Sequence, residues 1–394
     1  MPILKANGVS LFYELSGPSH APVVMFSNSL GTSHHMWDHV VPHLRGRYRT
    51  LCYDTRGHGS SQVQDQPATI DDLADDAIGL MDALKLDKVH FAGLSLGGMT
   101  GQNLAARHGR RLHSLTLMAT AANMPPKSAW DERIQLVRAE GTAAIVDANM
   151  ARWFTPDFVA AGSKALQAVR EGFIAIDRAG YAVCCGVIAN MDLRPLLAKI
   201  TTPTLVIAGR HDPATPVAKA EEICSGISHA ELVVLANAAH LLAVEQPEAT
   251  ASQLLGFISR HDGGAKRGPL GAVAQADGLL NRKAVLGEAY VERSMGQAGP
   301  FAQVWQDFIT RNAWGEVWGD TRLPWKTRSI VVLAMMVALH REDEFKLHLR
   351  AAVDNGLSLD ELQALLLQTA IYGGVPSANA AFRWAREVLG DAAS

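Results

Sequence analysis

Cysteine is scarce, and the four residues present, Cys52, Cys184, Cys185 and Cys224, leave the last 170 positions of the 394-residue chain with none. They show neither CxxC spacing nor a disulfide framework, which excludes a thiol redox pair in the second half and a cysteine zinc module anywhere. Each is expected to be a small buried residue in a reducing compartment. Charge of one sign is lacking too: 36 basic residues meet 39 acidic ones, for a formal net charge of −3, with no long basic block. Nothing therefore draws a nucleic acid or an anionic membrane surface. The longest conspicuous apolar run, Ser329 to Leu339, is too short to span a bilayer. Residues 1–17 lack a basic region followed by an apolar run and a small-residue cleavage site, so a cytoplasmic protein is expected. What remains, 48% hydrophobic and 19% charged residues, is ordinary for a packed globular protein and favours small-molecule chemistry. The length exceeds what one hydrophobic core usually serves, so two domains, or one with a large insertion, are expected.

The two halves differ in pattern. Up to about residue 260, short apolar runs alternate with helical stretches, and Pro22–Phe26, Thr50–Tyr53, Val89–Ala92, Leu115–Met118, Thr204–Ala208 and Glu231–Leu235 read as strands. Without polar alternation they suit a parallel sheet covered on both faces. Helices are expected at Asp71–Leu84 and Gly97–His108. From about Pro125 to Leu196 helical segments interrupt the strands, as an inserted cap would. His261 to Pro269 gathers three glycines, a proline and charges without periodicity, which predicts a linker over 261–274. Residues 275–394 predict an all-α domain, with helices at Arg282–Arg293, Phe301–Arg311, Lys326–His340, Glu342–Asp354, Leu359–Tyr372 and Ala378–Leu389. Asn355-Gly356 can end one of these, and Ser358 with Glu361 forms a capping box for the next.

Gly93-Leu-Ser95-Leu-Gly97 stands between the apolar run Val89–Ala92 and a helical stretch, the setting that turns G-x-S-x-G into a nucleophile elbow. Small flanking residues fit the crowded turn, and the hydroxyl is raised beside a helix N-terminus. A serine hydroxyl needs a base, and in this architecture the partners follow in the order Ser, Asp, His. Asp212 lies just after the run Thr204–Ala208, and His240 after Glu231–Leu235, both in loops at strand ends; His211 and Asp192 are the weaker substitutes. Acyl transfer also needs oxyanion donors: the Leu96 N–H, and one from the loop Ser27-Asn-Ser-Leu-Gly31, where Ser29 N–H is favoured. Asp54-Thr-Arg-Gly-His-Gly59 reads as a structural turn. Trp130, Arg133 and Trp153, with Arg152, are candidates for holding substrate from the cap.

On these residues, with Phe26-Ser-Asn-Ser-Leu-Gly-Thr32 in place of a His-Gly oxyanion loop, residues 1–260 resemble the α/β-hydrolase family and, within it, 3-oxoadipate enol-lactonases. The resemblance implies Ser95, Asp212 and His240 as the triad. Residues 275–394 resemble 4-carboxymuconolactone decarboxylases through Ala313-Trp-Gly-Glu-Val-Trp318, Thr327-Arg-Ser329, Arg341-Glu-Asp-Glu-Phe-Lys-Leu-His348 and Ile371-Tyr-Gly-Gly-Val-Pro376. It joins the halves chemically, since decarboxylating 4-carboxymuconolactone yields the lactone that the hydrolase would open to 3-oxoadipate. Loss of CO₂ pushes electrons to the lactone carbonyl, so cationic or hydrogen-bonding groups and one general acid suffice, and no cofactor is required. Arg328 is the candidate to hold a substrate carboxylate bidentately, and His348 or Glu316 to move the proton. Arg341, Arg350, His340 and Tyr372 stand in reserve. The resemblance also implies a homo-oligomer held by the helical half, acting on small lactones with no nucleic-acid or membrane partner. The alternatives are a broad carboxylesterase whose helical half serves only assembly, and a non-catalytic ligand-binding protein on a hydrolase scaffold.

Overall fold

The computed structural model describes residues 2–19, 21–44, 47–261, 275–320, 323–354 and 356–390, the side chains of 275–277 aside. The expected linker lies outside these residues except for His261, and so does Asn355. The chain divides into two compact units, Met1–Ala265 and Lys266–Ser394.

In the first unit the strands are β1 (Ile3–Ala6), β2 (Val9–Ser16), β3 (Val23–Ser27), β4 (Arg49–Tyr53), β5 (Val89–Leu94), β6 (Leu112–Met118), β7 (Thr204–Gly209) and β8 (Ala230–Leu235). They form one eight-stranded sheet in the order β1-β2-β4-β3-β5-β6-β7-β8. The pairings from β4 through β8 are parallel, while β1 with β2 and β2 with β4 are antiparallel. The six expected strands are all present, and β3, β5 and β7 are buried along their whole length, as strands covered on both faces should be. The hairpin β1–β2 was not expected. Its sequence signal is Asn7-Gly8, whose positive φ values of 47° and 81° suit a two-residue turn with the twist of the flanking strands.

The interval between β6 and β7 holds the cap: helices Lys127–Glu140, Val146–Trp153, Pro156–Ala161, Lys164–Ile174, Arg178–Asn190 and Arg194–Leu197. The large side chains that fix the core of this unit, Phe26, Trp37, Phe91, Phe173 and Phe257 among them, are fully buried. Cys52, Cys184 and Cys185 are buried within it, and burial pushes the Cys184 thiol up to about 12, which keeps it inert.

The second unit is helical throughout its described residues. The expected helix over 282–293 is two, Gln275–Leu286 and Glu288–Gly296, because Gly287 at φ 87° breaks it. After the helix Gly299–Ile309 the chain continues as a π-helix, Thr310–Val317, which the periodicity did not disclose. Helices Trp325–Ala338, Glu342–Asp354, Leu359–Gly373 and Val375–Leu389 follow. The Ser358–Glu361 capping box is present in both directions. Leu333, Val337, Phe345, Leu349, Leu366 and Trp384 form one core cluster, and Val285, Trp314, Trp318 and Ala351 a second. No single helix among the described residues is long and apolar enough to cross a membrane.

Candidate active sites

The turn between β5 and the helix Leu96–His108 is tight enough to explain its glycines one by one. A Cβ on Gly93 would stand 2.2 Å from the Gly97 carbonyl oxygen, and one on Gly97 would stand 2.1 Å from that of Ser27. Ser95 itself sits at φ 54°, ψ −113°, a conformation that side-chain-bearing residues adopt only under constraint. The constraint is visible: Ser95 N–H donates to Met118 O at 2.9 Å, and Ser95 O accepts from Thr120 Oγ1 at 2.7 Å. Leu96 is the first residue of the helix, so its N–H has no acceptor within the helix.

The loops after β7 and β8 bring the other two residues together. His240 Nδ1 and Asp212 Oδ2 are 2.8 Å apart and both residues are buried. Asp212 also accepts from Thr215 Oγ1 at 2.6 Å and from the N–H groups of Ala214 and Thr215 at 2.7 and 3.0 Å. Burial works to raise its pKa, but the neighbouring His240 and these hydrogen bonds outweigh it and hold the carboxyl below its ordinary range. With Nδ1 engaged by the carboxylate, Nε2 is the ring nitrogen left for other work. Glu245 fixes the loop, its carboxylate accepting from Ala239 N–H at 2.7 Å and from Thr155 N–H of the cap at 2.9 Å. Ser95 and His240 line one cavity of about 270 Å³, together with Ser29, Leu30, Thr215 and the cap residues Trp130, Arg133, Asn149, Arg152, Trp153 and Tyr181. His211 is exposed, and Asp192 pairs with Arg194 at 2.6 Å, so neither substitutes for the buried pair.

One assignment is corrected. The Ser29 N–H, favoured from sequence as an oxyanion donor, is donated to Sδ of Met36 at 3.3 Å, a residue that does not line the cavity. Leu30, the next residue, lines the cavity, and its N–H has no acceptor among the described residues. The turn after β4 braces this loop: His58 Nε2 accepts from Gly31 N–H at 2.9 Å, and Asp54 accepts from His34 N–H at 2.7 Å.

Arg133 reaches the cavity with its Nη1 on Tyr181 OH at 2.9 Å and Asn149 Oδ1 at 3.2 Å, and its guanidinium lies 5.7 Å from the Trp130 ring centroid. No carboxylate pairs with Arg133 or Arg152 among the described residues. Burial and the charge of Arg133 lower the pKa of Arg152 against the opposing charge of Asp212.

In the second unit, Trp314 and Trp318 stack on each other with centroids 4.9 Å apart, and the His348 ring lies parallel to both at 6.4 Å. Burial lowers the His348 pKa against the opposing charge of Glu344, which favours the neutral ring. Glu316, two residues from each tryptophan, belongs to the other side of that helix, so it does not share their stack. Arg328 is corrected as well: its Nε donates to Leu323 O at 3.0 Å and its Nη2 to Asp320 O, which commits the fork to the turn before its helix. Of the reserve residues, Arg341, Arg350 and Tyr372 are exposed, and His340 Nε2 is engaged with Ser377 Oγ at 3.1 Å. The residue that sequence reasoning missed is Arg282. It is 3% exposed, its Nη1 donates to Gln306 Oε1 at 2.7 Å and Thr310 Oγ1 at 3.2 Å, its Nε has no partner, and no carboxylate pairs with it among the described residues.

Residues 23–253 match the alpha/beta hydrolase family model, more than half of the chain. The chain belongs to the alpha/beta hydrolase family. Its second unit belongs to the carboxymuconolactone decarboxylase family, whose model matches residues 303–387. Over 246 residues the hydrolase unit is 40% identical to 3-oxoadipate enol-lactonase 2 of Acinetobacter baylyi, covering 62% of this chain and 92% of that protein. Over 114 residues the helical unit is 49% identical to 4-carboxymuconolactone decarboxylase of the same organism, covering 29% of this chain and 85% of that protein. The crystal structure of the enol-lactonase from Burkholderia xenovorans LB400 superposes with a TM-score of 0.64 at 40% identity, covering 66% of this chain and all of that one.

Proposed function

We propose that this alpha/beta hydrolase, with its fused helical unit, catalyses two consecutive steps of aromatic catabolism. 4-Carboxymuconolactone is decarboxylated to 3-oxoadipate enol-lactone, which is then hydrolysed to 3-oxoadipate. The observation that carries the second step is the shared cavity of Ser95 and His240 with His240 bonded to Asp212. Ser95 Oγ attacks the lactone carbonyl as His240 Nε2 takes its proton. The tetrahedral oxyanion is held by the N–H groups of Leu30 and Leu96. Collapse breaks the ring C–O bond, His240 returns the proton to the departing enol oxygen, and the enol becomes the ketone. Water then cleaves the acyl-serine by the same relay, giving the second carboxylate.

Arg133, with Trp130 and Trp153 as walls and Arg152 beside it, holds the substrate's free carboxylate. Replacing Arg133 with Gln is expected to raise KM for the enol-lactone on the order of 10-fold or more, the usual worth of a charged hydrogen bond, while KM for its neutral methyl ester stays near wild type. Steady-state kinetics on both substrates checks this.

For the first step, the reading places the site where His348 meets the tryptophan pair, with Arg282 as the cation for a substrate carboxylate in the place first given to Arg328. A buried guanidinium without an anion, beside a π-helix of a kind frequent at functional sites, supports it. His348 acts in its neutral form as a relay, one ring nitrogen accepting a proton from water as the other ring N–H gives its own to the dienolate carbon left by CO₂. Because burial lowers its pKa, the neutral form persists as pH falls past about 6.5, where a solvated histidine protonates. The acid limb of kcat/KM for CO₂ release is therefore expected below that value in wild type and absent from the residual activity of His348→Gln; a limb at or above it assigns the step to another group.

Self-association through the helical unit belongs to the same reading. The helix Gly299–Ile309 buries no residue, and Phe301, Trp305 and Phe308 on it are at least half exposed. Apolar area of this kind needs a cover, and a second copy of the same face supplies one.

Feeding the purified protein 4-carboxymuconolactone and following CO₂, enol-lactone and 3-oxoadipate tests the whole reading. 3-Oxoadipate with stoichiometric CO₂ is expected; enol-lactone hydrolysis without any CO₂ release would reduce the helical unit to an assembly module.

A further inference from the structure

The loop between β3 and the cavity is fastened at nearly every polar group. Asn28 O accepts from Gly97 N–H at 3.0 Å, Asn28 Nδ2 donates to Tyr53 O at 2.8 Å, and Asn28 Oδ1 accepts from Trp37 Nε1 at 2.8 Å. Ser29 O accepts twice from Thr32, from its N–H at 3.2 Å and its Oγ1 at 2.9 Å. Ser29 N–H goes to Met36 and Gly31 N–H to His58. Against this background one side-chain atom stands out: Ser29 Oγ is buried and has no hydrogen-bond partner, in a residue 2% exposed. Gln102 Oε1 and Thr116 Oγ1 are also unpartnered, but neither residue lines the cavity; of the cavity-lining residues, Asn149 of the cap also carries an unpartnered atom, Nδ2, whereas Ser29 belongs to the loop that supplies Leu30 and lines the cavity with Ser95 and His240.

A buried hydroxyl without a partner destabilises a fold, and alanine at the same place would avoid the cost. Its partner is therefore sought in what enters the cavity. We propose that the Ser29 hydroxyl is a third hydrogen-bond donor to the reacting carbonyl oxygen, beside the N–H groups of Leu30 and Leu96. The inference rests on Ser95 being the nucleophile. The carbonyl oxygen takes up negative charge when the Ser95 Oγ–C bond forms and the C=O π pair moves onto it, and an O–H pointing at that charge gains more than one pointing at the neutral carbonyl. The backbone of Ser29 is pinned at both N–H and C=O, so the hydroxyl needs only to rotate about its own bonds to serve. Such a donor acts on kcat, because its contribution is largest in the transition state.

Ser29→Ala in the full chain tests this with three measurements: lactone-opening kinetics, affinity for a boronic acid that forms a tetrahedral adduct on Ser95, and thermal midpoint. The expected result is a fall in kcat on the order of 10²-fold with KM little changed, a parallel loss of boronate affinity, and a midpoint equal to or above wild type. A structural role would reverse the pattern, lowering the midpoint while leaving boronate affinity intact. Boronate affinity and kcat both unchanged would overturn the proposal outright. Running p-nitrophenyl acetate alongside separates the levels: wild-type protein that cleaves the ester but not the enol-lactone defeats the substrate reading alone, and the Ser29 comparison still stands on the ester. Protein that cleaves neither and binds no boronate defeats the serine-hydrolase reading, and this proposal with it.

Discussion

Ser95→Ala is expected to lower lactone opening by on the order of 10⁴- to 10⁶-fold, while CO₂ release from 4-carboxymuconolactone stays within about twofold of wild type. The first number follows from the chemistry. Without the hydroxyl no acyl-enzyme forms, and the residual rate is whatever the oxyanion donors and binding give to direct attack by water. The second follows from the division of the chain: Ser95 lies within Met1–Ala265, and the residues given to decarboxylation all lie within Lys266–Ser394. In the variant, 4-carboxymuconolactone should be converted and enol-lactone should accumulate, visible in a single progress curve. Loss of both activities from a folded variant would mean that the two steps share residues, and the two-site reading would fall.

Asp212→Asn is expected to lower kcat for lactone opening by on the order of 10⁴-fold with the fold retained. Asp212 accepts from four donors, His240, Thr215 Oγ1 and the N–H groups of Ala214 and Thr215. An amide turned to keep the backbone donors presents its NH₂ to His240, which favours the tautomer with the proton on Nε2, where it cannot accept from Ser95. The stability change has a sign as well. The native carboxyl has a depressed pKa, so its contribution is present above the unfolded-state value and is lost as pH falls through the folded one. The gap in thermal midpoint between wild type and Asp212→Asn should therefore narrow on acidification through the carboxylate range. A variant with near-wild-type kcat would show that Asp212 does not set the His240 tautomer.

How much of this could be read from the residues depends on how local each signal is. Ser95, Asp212 and His240 were legible because each follows an apolar run that can only be a buried strand, and strand ends in such a sheet converge. The capping box at Ser358 was legible for the same reason, since its partners are three residues apart. The hairpin of β1 and β2 carried a local signal, Asn7-Gly8, that lay outside the six apolar runs and was passed over. The π-helix has no such signal: from composition, Thr310–Val317 reads as the tail of an ordinary helix. The two corrections share one cause. Whether Ser29 N–H or Leu30 N–H faces the cavity turns on Met36, seven residues away, and whether Arg328 is available turns on two backbone carbonyls of the preceding turn. Arg282 was missed because a buried guanidinium is visible only once its surroundings are known to hold no anion.

The left-handed corner at Ser95 has a consequence on a longer timescale than any assay. A side chain at φ 54° and ψ −113° carries a backbone cost of about 1–3 kcal/mol that glycine would not. Mutational drift toward stability and selection for lactone opening therefore pull against each other at this one codon. In a lineage whose lactone was opened by a second enzyme, purifying selection on this codon would relax. Serine-to-glycine replacement needs a single base change from the AGC or AGT codons. The fused hydrolase would then be expected to persist as a folded, catalytically silent passenger before it was lost from the genome.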